Sequence, residues 1–179
     1  MIKKKIADRI NAQINEELYS AYLYYSMAHY FDSLSLKGFA HWMQAQAIEE
    51  MNHANIFASY LNERGGRVQL KAIGAPDTEW KSPLAAFEAA YAHEQHITDC
   101  INKLMALAHA ESDFATANKL QWFVAEQVEE EASADEVVQR LKLVDKTQGG
   151  LFMLDLEMAK RQFMLPAALA GAGTTGGAE

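Results

Sequence analysis

The sequence predicts an all-α fold, a four-helix bundle with one long crossover connection and a short fifth helix. Prolines occur at only three positions, 76, 83 and 166, and most glycines cluster at 65–66, at 149–150 and near the end. The segments between these breakers are rich in Ala, Leu, Met, Glu, Gln and Lys, which favour helices. Strand signals are absent from the sequence. We expect one domain over residues 1–165 and a flexible Gly- and Ala-rich tail over 166–179.

The helices can be placed in order along the chain. The first two are expected over residues 5–34 and 37–64. Ser82 and Pro83 form an N-cap followed by Pro at the first helical position, which predicts a third helix to residue 110. Ser112 or Asp113 caps a fourth helix, which continues to residue 145. A fifth helix over 151–164 follows the two glycines at 149–150.

The lengths of the connections predict the topology. Only a few residues join helices one and two, and helices three and four, so each pair is antiparallel. The connection over 65–82 is longer, and eighteen extended residues reach about 60 Å. A helix of about 27 residues is about 40 Å long. This connection can therefore run the length of the bundle and make helices two and three parallel.

Composition excludes several classes of function. The chain has 16 Lys and Arg against 24 Asp and Glu, a net charge of -8, whereas nucleic-acid binding usually needs a basic face. The one cysteine, Cys100, cannot form an internal disulfide or a Cys-x-x-Cys metal site, and it fits a small buried residue in a reducing compartment. No signal peptide and no membrane-spanning segment is evident. We expect a cytoplasmic protein.

Each long helix carries an apolar stripe with alternating steps of four and three residues, as in packed bundles. One carboxylate interrupts each stripe near the middle of its helix, at Glu17, Glu50, Glu94 and Glu130. All four should therefore lie at similar heights and converge in the core. His53 and Gln127 lie one helical turn from Glu50 and Glu130.

Four carboxylates buried together need compensation, because buried charges are costly and like charges repel. No Lys or Arg occupies the stripes nearby, so two divalent cations are the simplest compensation. Oxygen-rich ligation with one imidazole suits iron or manganese, and zinc can also enter such a site. Protonated or hydrogen-bonded glutamates in a purely structural core are the alternative interpretation.

Other residues near this predicted site have two interpretations each. Tyr24 lies two turns from Glu17 on the same face, and it is either a core aromatic or a redox or hydrogen-bonding partner. Three further glutamates flank the site and either form a third metal position or belong to a solvated acidic face: Glu49, Glu126 and Glu129.

Four stretches of the sequence resemble the ferritin family, and most of all the non-haem bacterial ferritins. They are NEELYSAYLYYSMA (15–28), AIEEMNHANIF (47–57), YAHEQHIT (91–98) and LQWFVAEQVEEE (120–131). The resemblance covers residues 1–165, with the crossover and the fifth helix. It implies a ferritin-like domain that oxidises Fe(II) with O2 or H2O2 at an intrasubunit di-iron ferroxidase centre. It also implies a 24-subunit homo-oligomeric shell that stores ferric mineral.

The resemblance also implies roles for single residues. Glu17, Glu50 and His53 would hold one iron, and Glu50 would bridge to a second iron held by Glu94 and Glu130. Gln127 would position water or oxygen, Tyr24 would lie beside the centre, and Trp122 would be an electron source. A third iron would be held by four glutamates: Glu49, Glu126, Glu129 and Glu130. The apolar fifth helix would pack against neighbouring subunits at the four-fold axis.

Two alternatives remain beside this interpretation. A haem-containing bacterioferritin would carry a second Glu-x-x-His pair on helix four, where this sequence has Gln127 and Glu130. Met51, however, resembles the haem-binding methionine of those proteins. The second alternative is a non-catalytic structural or metal-binding bundle. DNA-protecting mini-ferritins and rubrerythrin-like peroxidases fit less well, because the fourth helix is long and acidic and the chain has one cysteine.

Overall fold

The structure is a computed structural model that describes residues 1–144 and 146–162. It confirms the all-α bundle, with four long helices and a short fifth. Across this part of the chain there is no strand, and no helix is long and apolar enough to cross a membrane. The helices are α1 (Lys4–Ser33), α2 (Lys37–Glu63), α3 (Pro83–Ala110), α4 (Phe114–Val144) and α5 (Gly150–Met158).

Side-chain caps start α3 and α4. The hydroxyl of Ser82 accepts a hydrogen bond from the backbone N–H of Ala85 at 3.1 Å, and Pro83 follows it, as the sequence predicts. Asp113 caps α4, because its Oδ1 accepts from the N–H of Thr116 at 3.1 Å. Ser112, the other candidate, has a φ of 53° in the left-handed region and belongs to the turn.

The crossover between α2 and α3 follows α1 for most of its length. Near one end, Asn11 Oδ1 accepts a hydrogen bond from the N–H of Gln69 at 2.7 Å. Near the other end, the Tyr30 hydroxyl donates to the carbonyl of Trp80 at 3.0 Å. These two anchor positions on α1 are about 28 Å apart along the helix. The long crossover and the parallel arrangement of α2 and α3 are therefore confirmed.

Among the described residues, the core consists of two apolar clusters at different heights in the bundle. In one cluster the rings of Phe31, Phe39 and Phe87 lie 5.3 to 5.7 Å apart. In the other, Phe57 stacks on Phe123 with 4.0 Å between ring centroids. Burying one such side chain stabilises the folded state by about 1.5–3 kcal/mol. The polar stripe residues fall between the two clusters.

The short helix α5 packs on the start of α2. Asp155 Oδ1 accepts a hydrogen bond from the N–H of Phe39 at 3.0 Å and so satisfies a free donor in the first turn of α2. At Gly38 the two backbones approach so closely that a Cβ would lie 1.7 Å from the Asp155 carbonyl oxygen. The predicted end of α5 at residue 164 is wrong, because α5 ends at Met158 and the chain then turns. The predicted tail over 166–179 lies outside the described residues.

Candidate metal centre

A belt of polar side chains from all four long helices lies between the two core clusters. Each long helix contributes at least one carboxylate to it, which the 3.6-residue period of the stripes places on the inner face. Every belt residue is less than one-tenth exposed. The belt contains Glu17 from α1, Gln46, Glu50 and His53 from α2, Glu94 from α3, and Gln127 and Glu130 from α4.

Three belt residues form a compact group of potential metal ligands. One ligand atom each from Glu17, Glu50 and His53 lies within 4.8 Å of the other two. His53 Nδ1 is 3.2 Å from Glu50 Oε2. Gln13 Nε2 donates to Glu17 Oε1 at 2.8 Å, but the buried Glu17 Oε2 has no hydrogen-bond partner among the described residues. A buried carboxyl oxygen without a hydrogen-bond partner is costly, and a cation in this group would satisfy it.

Glu94 lies on the other side of the belt and is held by two donors. The Tyr24 hydroxyl donates a short hydrogen bond to Glu94 Oε1. Gln127 Nε2 donates to Glu94 Oε2 at 3.2 Å and to the Glu94 carbonyl oxygen at 3.3 Å. Tyr24 is fully buried, so its hydroxyl has a defined position. These contacts orient the carboxylate without occupying both lone pairs of either oxygen.

Glu130 is oriented by Gln46, a residue that the sequence analysis did not single out. Gln46 Nε2 donates to Glu130 Oε2 at 2.7 Å and to Glu50 Oε1 at 3.1 Å, so one amide connects two carboxylates. Gln13 has the same relation to Glu17 on α1. Both glutamines precede their glutamate by four residues, a spacing at which helical side chains meet. That Gln-x-x-x-Glu spacing is the sequence signal that could have identified them.

The belt binds protons strongly when it holds no metal. Burial, reinforced by the charge of Glu50, raises the pKa of Glu17 to about 8 and that of Glu130 to about 7. Burial and Glu50 also raise the pKa of Glu94. Burial alone would lower the pKa of His53, but the hydrogen bond and charge of Glu50 outweigh it and raise that pKa to about 10.

Glu50 is the belt carboxylate that stays ionised. Burial works against its charge, but the hydrogen bond and charge of His53 outweigh burial and lower its pKa. Protons on the neighbouring residues therefore balance the charge that this carboxylate brings into the core. Divalent cations could replace those protons, because carboxylates and imidazole bind metals in their deprotonated forms. The residues of the belt thus fit the oxygen-rich, single-imidazole site that the sequence predicts.

The three flanking glutamates are not equivalent in the structure. Glu126 contributes a ligand atom to a second compact group, with His53 and Glu130, whose ligand atoms lie within 4.8 Å of one another. Glu49 instead forms a short ion pair with Arg161 from the segment after α5. Glu129 is exposed and belongs to none of the compact ligand groups found among the described residues.

An aromatic residue lies against the belt on the α4 side. The Trp122 and His53 rings meet edge to face with 5.6 Å between centroids, and Trp122 also packs on Phe123. The indole is therefore in contact with a potential ligand of the metal site. Tyr24 lies on the Glu94 side of the belt. Burial raises the pKa of its hydroxyl above the ordinary value, so the hydroxyl remains a neutral donor.

Comparison with known proteins identifies the family of the chain. A family model described as a ferritin-like domain matches residues 7–144. A bacterial non-heme ferritin of Bacteroides fragilis is 41% identical over 161 residues, covering 90% of this chain and all of the relative. A bacterial non-heme ferritin of Campylobacter jejuni is 40% identical over 155 residues, covering 87% of this chain and 93% of the relative.

Solved structures give the same result. An open pore ferritin of Archaeoglobus fulgidus is 52% identical and superimposes with a TM-score of 0.89, covering 90% of this chain and all of that one. A form of the A. fulgidus ferritin engineered to be closed gives a TM-score of 0.90 at 52% identity, covering 92% of this chain and all of that one. Together with the match over residues 7–144, these similarities show that the chain belongs to the ferritin family.

Proposed function

We propose that this protein stores and detoxifies iron in the cytoplasm, oxidising Fe(II) at the polar belt and keeping the ferric product inside a shell of 24 subunits. The observation that carries the proposal is the buried group of Glu17, Glu50 and His53, in which Glu17 Oε2 has no donor among the described residues. Membership of the ferritin family supports iron as the metal.

In this proposal the belt residues other than Gln46 have direct roles at the iron positions. Glu17, Glu50 and His53 hold one iron ion, and Glu50 bridges to a second that Glu94 and Glu130 hold. Gln127 lies beside the second position, where its amide contacts Glu94. A third iron would use Glu126 and Glu130 together with Glu49 and Glu129. For that, the ion pair of Glu49 with Arg161 has to open and Glu129 has to turn inward.

The reaction follows from the ligand set. Anionic carboxylate oxygens stabilise Fe(III) more than Fe(II), so they favour loss of an electron from each bound ferrous ion. Two ferrous ions supply two electrons, and with two protons they reduce one O2 to H2O2, or one H2O2 to two waters. Glutamates with raised pKa values, such as Glu17, release protons when iron binds.

Aerobic addition of Fe(II) to the metal-free protein tests the proposal. Ferric absorbance should rise much faster than in buffer alone, and Glu94→Ala should slow the fast phase by at least about tenfold, because one iron loses a ligand. Glu63→Ala, which removes an exposed carboxylate from α2, is the matched control and should leave the rate unchanged. A wild-type rate equal to that of buffer would refute ferroxidase activity.

Two exposed apolar surfaces support assembly. Tyr22, Tyr25, Ile48 and Met51 are each about half exposed along one groove between α1 and α2. On α5, three apolar side chains are exposed to a similar or greater degree: Phe152, Met153 and Leu156. Such patches usually mark interfaces. Size-exclusion chromatography with light scattering should give the mass of about 24 chains, and a monomer or dimer would contradict the shell.

A haem-containing form is the second candidate, and the position of Met51 favours it. The Met51 side chain lies on the open groove between α1 and α2, where a partner surface could enclose a ligand. Against it, the belt has Gln127 and Glu130 on α4 and no second histidine there. A haem absorbance band that is lost in Met51→Leu would support this form. If protein expressed with haem supplied shows no such band, the haem-containing form is rejected.

A further inference from the structure

A second group of potential metal ligands lies outside the belt, where α1 and α3 face each other. It consists of Glu16 from α1 and of His96 and Cys100 from α3. One ligand atom of each lies within 4.8 Å of the other two. His96 and Cys100 are four residues apart, so one helical turn places them on the same side of α3. Glu16 precedes Glu17 in the chain, but its side chain leaves α1 about 100° away from the belt.

Two separations in this group, both measured from His96 Nε2, are close to those between the ligands of a tetrahedral zinc ion. Glu16 Oε2 lies 3.1 Å from His96 Nε2, and Cys100 Sγ lies 3.6 Å from the same nitrogen. With ordinary zinc bond lengths, a tetrahedral site places nitrogen and sulfur about 3.6 Å apart and nitrogen and oxygen roughly 3.3 Å apart. The His96 side chain is 52% exposed, so the fourth corner can be taken by water.

In a purely hydrogen-bonded state, His96 Nε2 can pair with only one of its two neighbours at a time. If His96 Nε2 carries a proton and donates it to Glu16, the nitrogen has nothing left to offer Cys100. If Nε2 instead accepts a hydrogen bond from the Cys100 thiol, this nitrogen carries no hydrogen and cannot donate to the carboxylate of Glu16. A cation between the three atoms satisfies all of them at once. Cys100 itself is only 5% exposed, so its sulfur points toward the group from a fixed, buried position.

The surroundings of Cys100 determine its state without metal. Burial and the Glu16 carboxylate raise the pKa of the thiol, and the neighbouring Arg9 guanidinium offsets part of that rise. Arg9 also contacts the Cys100 carbonyl oxygen at 3.5 Å. The thiol therefore keeps its proton at neutral pH, and a bound metal ion would displace that proton to form the thiolate.

We propose that Glu16, His96 and Cys100 form a binding site for a borderline-soft divalent cation such as Zn2+, separate from the belt. Thiolate and imidazole ligands select zinc-like ions, whereas carboxylates suit iron and manganese. The chain would thus carry two sites of different ligand chemistry, about 100° apart around α1. This proposal does not depend on ferroxidase activity.

Cobalt(II) is the probe that distinguishes the two sites. Titration of the assembled, reduced, iron-free protein with Co2+ should produce a sulfur-to-cobalt charge-transfer band of one thiolate per chain. Cys100 is the only cysteine in the chain, so the carboxylate belt cannot produce this band even when it binds cobalt. Stoichiometric Zn2+ should then displace the cobalt and remove the band.

Variants make the assignment specific. Cys100→Ser should abolish the band while the initial rate of Fe(II) oxidation stays unchanged. His96→Asn, at an exposed position with little risk to folding, should weaken cobalt binding by at least roughly tenfold. His109→Asn, an exposed histidine on the same helix outside both sites, should not change it. Absence of the band at saturating Co2+, or an unchanged midpoint in His96→Asn, would overturn the proposal.

Discussion

At the scale of single residues, Glu17 is one of the belt residues that make the stability of the metal-free protein depend on pH. Its pKa is raised from 4.5 to about 8, so the folded protein holds this proton more tightly than the unfolded chain does. The contribution of such a group to the free energy of unfolding is fully present below about pH 4.5 and is lost as the pH rises towards 8. The raised pKa values of Glu130 and His53 act in the same direction over this range.

We therefore predict that the melting temperature of chelator-treated protein falls between pH 5 and pH 8. Each of these groups contributes a slope of at most ~1.4 kcal/mol per pH unit. Glu17→Gln, which cannot ionise, should show a shallower fall in differential scanning calorimetry. Glu63→Gln, an exposed glutamate on α2, should keep the wild-type slope. Equal slopes in Glu17→Gln and wild type would show that Glu17 is not one of the groups whose protonation sets this pH dependence.

A second prediction at this scale concerns Gln46. Its amide donates to both Glu50 and Glu130, and its carbonyl oxygen accepts from Arg161 at 2.7 Å. Gln46→Leu removes the donor that holds the two carboxylates in place, so we expect a loss of metal affinity of about 10–100-fold. Isothermal titration with Zn2+ or Co2+ measures it, with Cys100→Ser present in both chains so that the titration reports the belt alone. Gln139→Leu, at an exposed glutamine on α4, is the control, and similar losses in both variants would contradict a specific role.

At the scale of secondary-structure elements, the contact between α2 and α5 depends on one glycine. Ala is normally the better helix residue by ~1 kcal/mol, so a glycine within α2 needs a packing reason. That reason is the Asp155 carbonyl oxygen, 1.7 Å from where a Cβ at Gly38 would lie. Because the obstacle is backbone, α5 as a whole has to move to make room.

We predict that Gly38→Ala destabilises the protein by about 1–3 kcal/mol, the usual cost of overpacking. It should also weaken the docking of α5, which would appear as faster hydrogen exchange at residues 150–158. Gly74→Ala is the matched control, since a Cβ there meets nothing within 4 Å. An unchanged melting temperature in Gly38→Ala would mean that α5 adjusts freely and does not hold α2.

At the scale of the whole molecule, the polar belt divides the apolar core into two clusters. The two apolar clusters are separated by buried carboxylates, so the metal-free bundle carries an electrostatic cost at its centre. Cations that bind only the folded state stabilise it by mass action, by about 2.7 kcal/mol at one hundred times the dissociation constant.

We therefore expect divalent cations added anaerobically to raise the melting temperature, and a chelator to reverse the rise. Glu50→Ala should lose most of this rise in melting temperature, because Glu50 is shared by both proposed metal positions of the belt. Cys100→Ser should retain the part of the rise that the belt provides. Calorimetry with Zn2+ and with anaerobic Fe2+ gives the comparison, and an equal rise in Glu50→Ala and wild type would place the stabilising cation elsewhere.

The sequence by itself determined the helices, their order and the four carboxylates of the belt. Helical period and breakers are local properties, and a carboxylate on an apolar stripe is visible without coordinates. The same spacing placed Glu17, Glu50, Glu94 and Glu130 at one height, because all four lie near the middle of long helices that pack side by side. Belonging to the ferritin family was likewise evident from four short motifs in the expected order.

Only the tertiary structure decided how side chains meet across helices. It showed Glu49 paired with Arg161, and Glu16 beside His96 and Cys100. It also showed that α5 ends at Met158. These contacts join residues far apart in sequence, through side chains whose rotamers depend on packing. Helical period gives the face on which a residue lies, but only the packed bundle determines which residue lies opposite it.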